Sequence, residues 1–93
     1  MIVPTKNIDP TMRLMVFPNI EKNLYVFQLV REVHGKLSLE EEKSYKIENI
    51  KDINEETLDK IARDLSSYSV KISKEDIREL LEKLMPPSYK SNL

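Results

Sequence analysis

The spacing of apolar positions changes near the middle of this chain, from strand-like runs to a helical period. Residues 12–17 form a short apolar run that stops at Pro18, and residues 24–33 form a longer run rich in β-branched and aromatic side chains. Such side chains fit a pleated surface, and the second run is apolar enough for a central strand covered on both faces. Gly35, the only glycine, follows and can supply the positive φ of a tight turn, so a β-hairpin is predicted.

The segment after this turn is open to two interpretations. Its odd-numbered apolar positions are Leu37, Leu39, Tyr45 and Ile47, and its even-numbered positions are mostly polar or charged. A period of two favours a strand with one face in water, although Glu41 and Lys43 interrupt the apolar face. The alternative is a helix from Leu39 onward, with Ser38 as its N-cap. We prefer the strand because of the alternation.

The second half of the chain predicts two amphipathic helices. A helix over about 55–66, capped by Asp52 or Asn54, follows from apolar residues at the spacing i, i+3, i+4 and i+7. These residues are Leu58, Ile61, Ala62 and Leu65. Ser73 and Asp76 have the spacing of a capping box at the start of the next helix, which two prolines end. Its apolar stripe consists of Ile77, Leu80, Leu81, Leu84 and Met85.

These elements predict one small α+β domain of 93 residues. A three-stranded antiparallel β-meander over 11–48 is followed by a two-helix unit over 54–85, packed on one face of the sheet. Residues 1–10 contain two prolines and are predicted to form an N-terminal arm, and 86–93 a flexible tail. If segment 39–50 is helical instead, the fold becomes winged-helix-like, with strands followed by three helices.

Composition limits the classes of function. Hydrophobic residues make up 40% and charged residues 33% of the chain, as in soluble globular proteins. No apolar run approaches the roughly 20 residues of a membrane span, and no signal-peptide pattern is present, so we expect a cytoplasmic location and no membrane partner. The heavy use of Lys, Glu and Ile is compatible with a thermophilic source. A net charge of −1 provides no overall attraction to nucleic acid.

The residue types that catalysis needs are sparse. His34 is the sole histidine and the chain has no cysteine, so no usual zinc site can be completed. Because His34 lies beside Gly35, we interpret it as a turn residue. The side chains of three consecutive acids, Glu40–Glu42, would point to alternate faces of a strand, so they would not converge on one cation. One glycine is too few for a phosphate-binding loop. We therefore predict no catalytic residue, no metal site, no cofactor and no enzymatic activity.

The helix pair has some features of a DNA-reading helix-turn-helix. A helix of the form Ile-Ala-x-x-Leu followed by a Ser-capped helix is common in that motif, but here seven residues separate the two. Residues 74–85 contain three cations and four anions, and carboxylates are repelled by phosphates. If nucleic acid is bound, the candidate phosphate contacts around the connection are Lys60, Arg63, Lys71, Lys74 and Arg78.

The leading hypothesis is a small non-enzymatic protein–protein interaction module, an accessory subunit or adaptor that docks on a protein partner. Tyr68 and Tyr89 are candidate interface anchors, because exposed tyrosines often serve that role. A homodimer is a further candidate, through the strand over 12–17 if that strand lies at an edge. The alternative hypothesis is a nucleic-acid-associated accessory factor or a small DNA-binding regulator that uses the helix pair over 58–84.

Overall fold

Four antiparallel strands come first in the chain and two helices follow, within residues 3–49, 54–67 and 70–84, which the computed structural model describes. The elements are β1 (Thr5–Asp9), β2 (Met12–Asn19), β3 (Leu24–Val33), β4 (Lys36–Lys46), a short 3₁₀ helix (Ile47–Asn49), α1 (Glu55–Leu65) and α2 (Lys74–Leu84). The strands form one sheet in the order β1-β2-β3-β4. The predicted α+β class and C-terminal helix pair are confirmed, but the sheet has four strands instead of three.

The additional strand, β1, comes from the predicted N-terminal arm. It pairs with β2, and Lys6 forms an ion pair with Glu79 of α2 at 2.7 Å. The Asp9 carboxylate accepts a hydrogen bond from the Thr11 amide at 2.8 Å, which stabilises the reversal around Pro10. Because β1 occupies the edge of the sheet, β2 is an internal strand. The edge of β2 is therefore not exposed, so the predicted self-association through that edge does not apply.

A two-residue turn joins β3 to β4, as the position of the only glycine predicts. His34 has a φ of 54° and Gly35 a φ of 78°, and Val33 pairs with Lys36 across the turn. Two successive positive φ angles are typical of a type I′ turn, whose twist matches that of the flanking strands. The strand interpretation of the segment after the turn is confirmed by β4, and the winged-helix-like alternative with a third helix is not formed.

A β-bulge in β4 overturns the predicted face assignment. Leu29 pairs with Glu41 and Val30 pairs with Leu39, so Glu40 is an additional residue without its own partner. One inserted residue moves every later side chain to the opposite face of the sheet. The odd-numbered residues of β4 before and after the bulge therefore lie on different faces, whereas the sequence pattern placed them on one.

The hydrophobic core lies between the helix pair and one face of the sheet. The predicted α1 stripe is buried there against alternate residues of the two central strands, and so are Ile77, Leu80 and Leu81 of the α2 stripe, which removes their apolar surface from water. Leu84 is partly buried, and Met85 lies outside the described residues. The buried residues of the core are Met12, Leu14, Val16, Phe27, Leu29, Leu58, Ile61, Ala62, Leu65, Val70, Ile72, Ile77, Leu80 and Leu81.

Side-chain caps define where each helix begins. Asn54 accepts a hydrogen bond from the Thr57 amide at 2.8 Å at the start of α1. At the start of α2, the Ser73 hydroxyl accepts from the Asp76 amide at 3.2 Å, and the Asp76 carboxylate accepts from the Ser73 amide at 3.0 Å. This reciprocal arrangement is the capping box that the spacing predicts, and it satisfies two backbone donors that a helix start would otherwise leave unpaired.

Candidate functional site

The face of the sheet opposite to the two helices is the candidate functional site, and we call it the open face. Alternation along β2 and β3 identifies this face, because every other residue in the middle of these strands belongs to the core between sheet and helices. Pairing with β2 and β3 then assigns the residues of β1 and β4. The open face consists of Thr5, Asn7, Arg13, Met15, Phe17, Asn19, Leu24, Val26, Gln28, Val30, Glu32, Leu37, Leu39, Glu42, Ser44 and Lys46.

Apolar residues of the open face lie in two places, separated by Gln28 of β3 and its partner Glu42 of β4. Val26 and Val30 of β3 are each 7% exposed, although neither belongs to the core cluster on the helix side. Phe17 pairs with Val26 on one side, and Leu39 pairs with Val30 on the other. Leu37 and Leu39 are 63% and 56% exposed. Single exposed apolar side chains are ordinary, whereas two exposed leucines on the same face of one strand are a candidate contact surface.

The charged groups of the open face are balanced in sign. Arg13 forms an ion pair with Glu32, with 3.0 Å between Nη2 and Oε1. The Gln28 amide donates a hydrogen bond to the Glu42 carboxylate at 2.6 Å. With Lys46 near the far end of β4, the face carries two cations and two anions. Its polar groups are therefore largely satisfied by one another, and the face has no net charge.

Two of the predicted phosphate contacts are bound to one carboxylate. Glu55, in the first turn of α1, forms an ion pair with Lys74 at 2.9 Å and another with Arg78. Arg78 also lies 3.4 Å from Glu75. Hydrogen bonds from Lys74 and then from Arg78 lower the pKa of Glu55 below its ordinary value. This cluster joins the beginnings of the two helices and reduces the positive charge available to a phosphate.

The remaining predicted phosphate contacts lie on α1 and in the helix connection. Lys60 Nζ lies 3.3 Å from the Asp64 carboxylate, and Arg63 lies 3.8 Å from Asp59. Lys71 is exposed, and within the described ranges it forms no ion pair. Surface ion pairs are weak and exchange partners easily. The nucleic-acid site thus stays a prediction, with four of its five cations paired to carboxylates.

A hydrogen bond between β4 and α1 connects the edge strand to the helix layer. The half-buried Tyr45 hydroxyl donates to Asp64 Oδ2 at 2.7 Å, and the Tyr45 ring packs edge-on against Phe27 with 5.8 Å between centroids. Burial, and then the Asp64 carboxylate, raises the pKa of Tyr45. The hydrogen bond from Tyr45, and then that from Lys60, lowers the pKa of Asp64. Sequence reasoning missed this pair because nothing local links the two positions.

A small concavity lies at one end of the core, beneath the β3–β4 hairpin. Its volume is about 220 Å³ and its lining includes Leu29, Arg31, Leu65 and Val70, which is less than the roughly 300 Å³ of the smallest usual ligand pockets. The Arg31 guanidinium is already bound to Glu40 at 2.9 Å. The concavity therefore offers little to a charged ligand.

Metal-binding and membrane-spanning features are absent from the described ranges. No group of three or more His, Asp or Glu side chains there could hold a metal ion. No helix in the same ranges combines the length and apolarity needed to cross a membrane. His34 is exposed in the β3–β4 turn. Tyr68, Tyr89 and the predicted tail over 86–93 lie outside the described residues.

Comparisons of this chain with protein-family models, curated protein sequences and solved structures find no match. The open face carries two exposed leucines, Leu37 and Leu39, on its β4 edge, and the hydrogen-bonded pair of Gln28 and Glu42 in its middle.

Proposed function

We propose that this protein is a small non-enzymatic protein–protein interaction module, an accessory subunit or adaptor, that docks on another polypeptide chain through its open face. The observation that carries the proposal is the pair of exposed leucines, Leu37 and Leu39, on the face of the sheet opposite to the helices. Apolar surface in contact with water costs about 25 cal/mol per Å² relative to buried surface. Docking would recover this free energy for the exposed leucines of β4.

The bulge in β4 supports this role, because it places Leu37 and Leu39 on the open face. Without the additional residue Glu40, the same alternation would direct these leucines to the face that bears Tyr45, next to the helices. Bulges frequently redirect side chains at sheet edges and near functional sites. The exposure of the leucines is thus tied to a defined feature of the backbone.

Charge favours a protein partner over nucleic acid. The open face has no net charge, and four of the five candidate phosphate contacts already pair with carboxylates. Affinity for nucleic acid depends mainly on cations that neutralise phosphates. A partner that contributes apolar side chains matches the open face better than a polyanion does.

The test is a capture experiment with three baits. The unaltered protein is compared with the double variant Leu37→Lys/Leu39→Lys and with the control Ile20→Lys/Val33→Lys. The control replaces two apolar residues that are 76% and 45% exposed but lie outside the open face, and it adds the same charge. We expect a polypeptide, which includes a further copy of this chain, to be retained by the unaltered protein and the control and lost from the open-face variant.

Two outcomes would oppose the proposal. One is that the three baits retain the same polypeptides, so that the open face is not the docking surface. The other comes from fluorescence anisotropy of labelled DNA at low and near-physiological salt. Steeply salt-dependent binding that Arg63→Glu/Lys71→Glu abolishes would support the nucleic-acid alternative instead.

A further inference from the structure

We infer that the chain docked on the open face is a second copy of this protein, so that two open faces pack together in a symmetric dimer. The inference rests on the proposed function and names its partner. The dimer would have four layers, with the two sheets in the middle and a helix pair on each outer side. Two sheets packed face to face in this way form a β-sandwich, with about 10 Å between the sheets.

The size of the open face agrees with what a stable dimer requires. Strands about 4.8 Å apart and a rise of about 3.3 Å per residue determine the dimensions of a sheet. With 5, 8, 10 and 11 residues in the four strands, one open face covers about 540 Å². Two such faces in contact would bury about 1,100 Å² in total, which exceeds the roughly 1,000 Å² that a specific interface requires.

The charge of the open face suits contact with itself. In a symmetric dimer the same surface contributes both sides of the interface, so any net charge on it would be repelled by its copy. Arg13 and Glu32 neutralise each other within one chain, and Glu42 accepts its hydrogen bond from Gln28 of the same strand pair. A strongly acidic or basic partner would gain little attraction from such a face, whereas a second copy meets no repulsion.

The edge of β4 is a poorer route to a dimer than the open face. The strand carries the bulge at Glu40, and it has three consecutive acids, Glu40–Glu42. Bulges and charged side chains on an edge strand discourage pairing with another edge. A second copy is therefore expected to contact the open face of the β3–β4 hairpin and not to pair with the backbone edge of β4.

The experiment is sedimentation equilibrium of the full chain from low micromolar to submillimolar concentration. We expect a reversible monomer–dimer equilibrium for the unaltered protein. Leu37→Lys/Leu39→Lys places four lysines in the dimer interface and should weaken dimerisation at least tenfold, a change of about 1.4 kcal/mol or more. The control Ile20→Lys/Val33→Lys should change it less than about twofold. Circular dichroism and thermal unfolding of dilute samples confirm that each variant is folded, and Leu37→Ser/Leu39→Ser replaces the lysine variant if it is not.

Three results would overturn the inference. The unaltered protein could remain monomeric at submillimolar concentration, or it could dimerise equally well with both lysine pairs. The third result would come from hydrogen exchange. If the amides along the outer edge of β4 exchange more slowly in the dimer, the two copies pair through that edge and not through the open face. A monomeric protein whose open face still captures a different polypeptide refutes the dimer and leaves the proposed function intact. A monomer that captures nothing refutes both.

Discussion

The Tyr45 hydroxyl joins the β4 edge of the sheet to the helix layer. It donates a hydrogen bond to Asp64 at 2.7 Å, while the Tyr45 ring contacts Phe27 in the core. Lys60 Nζ lies over the same ring, 5.4 Å from its centroid. Hydrogen bonds to a charged acceptor are stronger than neutral ones, but solvent screens this one because the Asp64 side chain is 35% exposed. The contact therefore contributes modestly to stability.

Tyr45→Phe is expected to lower the free energy of unfolding by about 1 kcal/mol at neutral pH, because it removes this hydrogen bond and leaves the ring in place. The folded-state pKa of Asp64 is lowered, so the stabilisation is present above the unfolded pKa of Asp64 and is lost as pH falls through the lowered folded value. The difference between wild type and variant should thus shrink below about pH 4. Urea unfolding of both proteins, in buffers from neutral to strongly acidic pH, measures this difference in unfolding free energy.

Asp64→Ala supplies the control for this prediction in a double-mutant cycle, because it removes the acceptor. If the two side chains interact as the structure indicates, Tyr45→Phe costs less free energy in the Asp64→Ala background than in the wild type. Additive effects, or a difference that does not depend on pH, would show that the hydrogen bond contributes nothing.

At the scale of elements, each helix carries its own start signal within a few residues. The capping box of Ser73 and Asp76 and the cap of Asn54 on Thr57 depend on local spacing alone. The turn at His34 and Gly35 is local in the same sense. Such signals are readable from sequence because the partners lie within one helical turn or one hairpin loop.

Ser73→Ala is expected to destabilise the protein by about 1 kcal/mol, because the amide at Asp76 loses its side-chain acceptor at the start of α2. Ser73→Asn should restore most of this loss, since asparagine is an equally good N-cap. Thermal unfolding monitored by helical circular dichroism provides the measurement. The matched control is Ser67→Ala in the helix connection, where the observed bond to Val70 is made by the backbone and the change should stay within about 0.5 kcal/mol.

At the scale of the whole molecule, the sheet separates a covered face from an open one. Leu80 of α2 is fully buried in the core, whereas Leu39 of β4 is 56% exposed on the open face. Buried leucines hold the helices on the sheet, and we propose that the exposed leucines form part of a docking surface.

Leu80→Ala is expected to cost about 2–5 kcal/mol of unfolding free energy, because it removes buried methyl groups and leaves a cavity. Leu39→Ala is the matched substitution on the open face and should change stability by less than about 0.5 kcal/mol. Both are measured by chemical denaturation at low protein concentration, where association does not add to stability. A large loss for Leu39→Ala under these conditions would mean that the open face is covered within the single chain.

Local pattern alone was enough for the helices, their caps, the β3–β4 turn and the α+β class. The helical stripes are periodic over three turns, so burial of one face follows from the sequence with little ambiguity. Strand β1 was missed because its flanking prolines and polar residues resemble an arm, and pairing with β2 supplies hydrogen bonds that no local signal reports. Nothing local marks the partnership of Tyr45 and Asp64 either.

The sequence by itself determined which residues are apolar, where the helices start and where the hairpin turns, because each of these properties depends on neighbours along the chain. Only the tertiary structure decided that β1 covers the edge of β2 and that Leu37 and Leu39 lie on the open face. The second outcome depends on a one-residue bulge in the pairing of β4 with β3. Register is a property of two strands together, and a slip of one residue exchanges the two faces of the sheet.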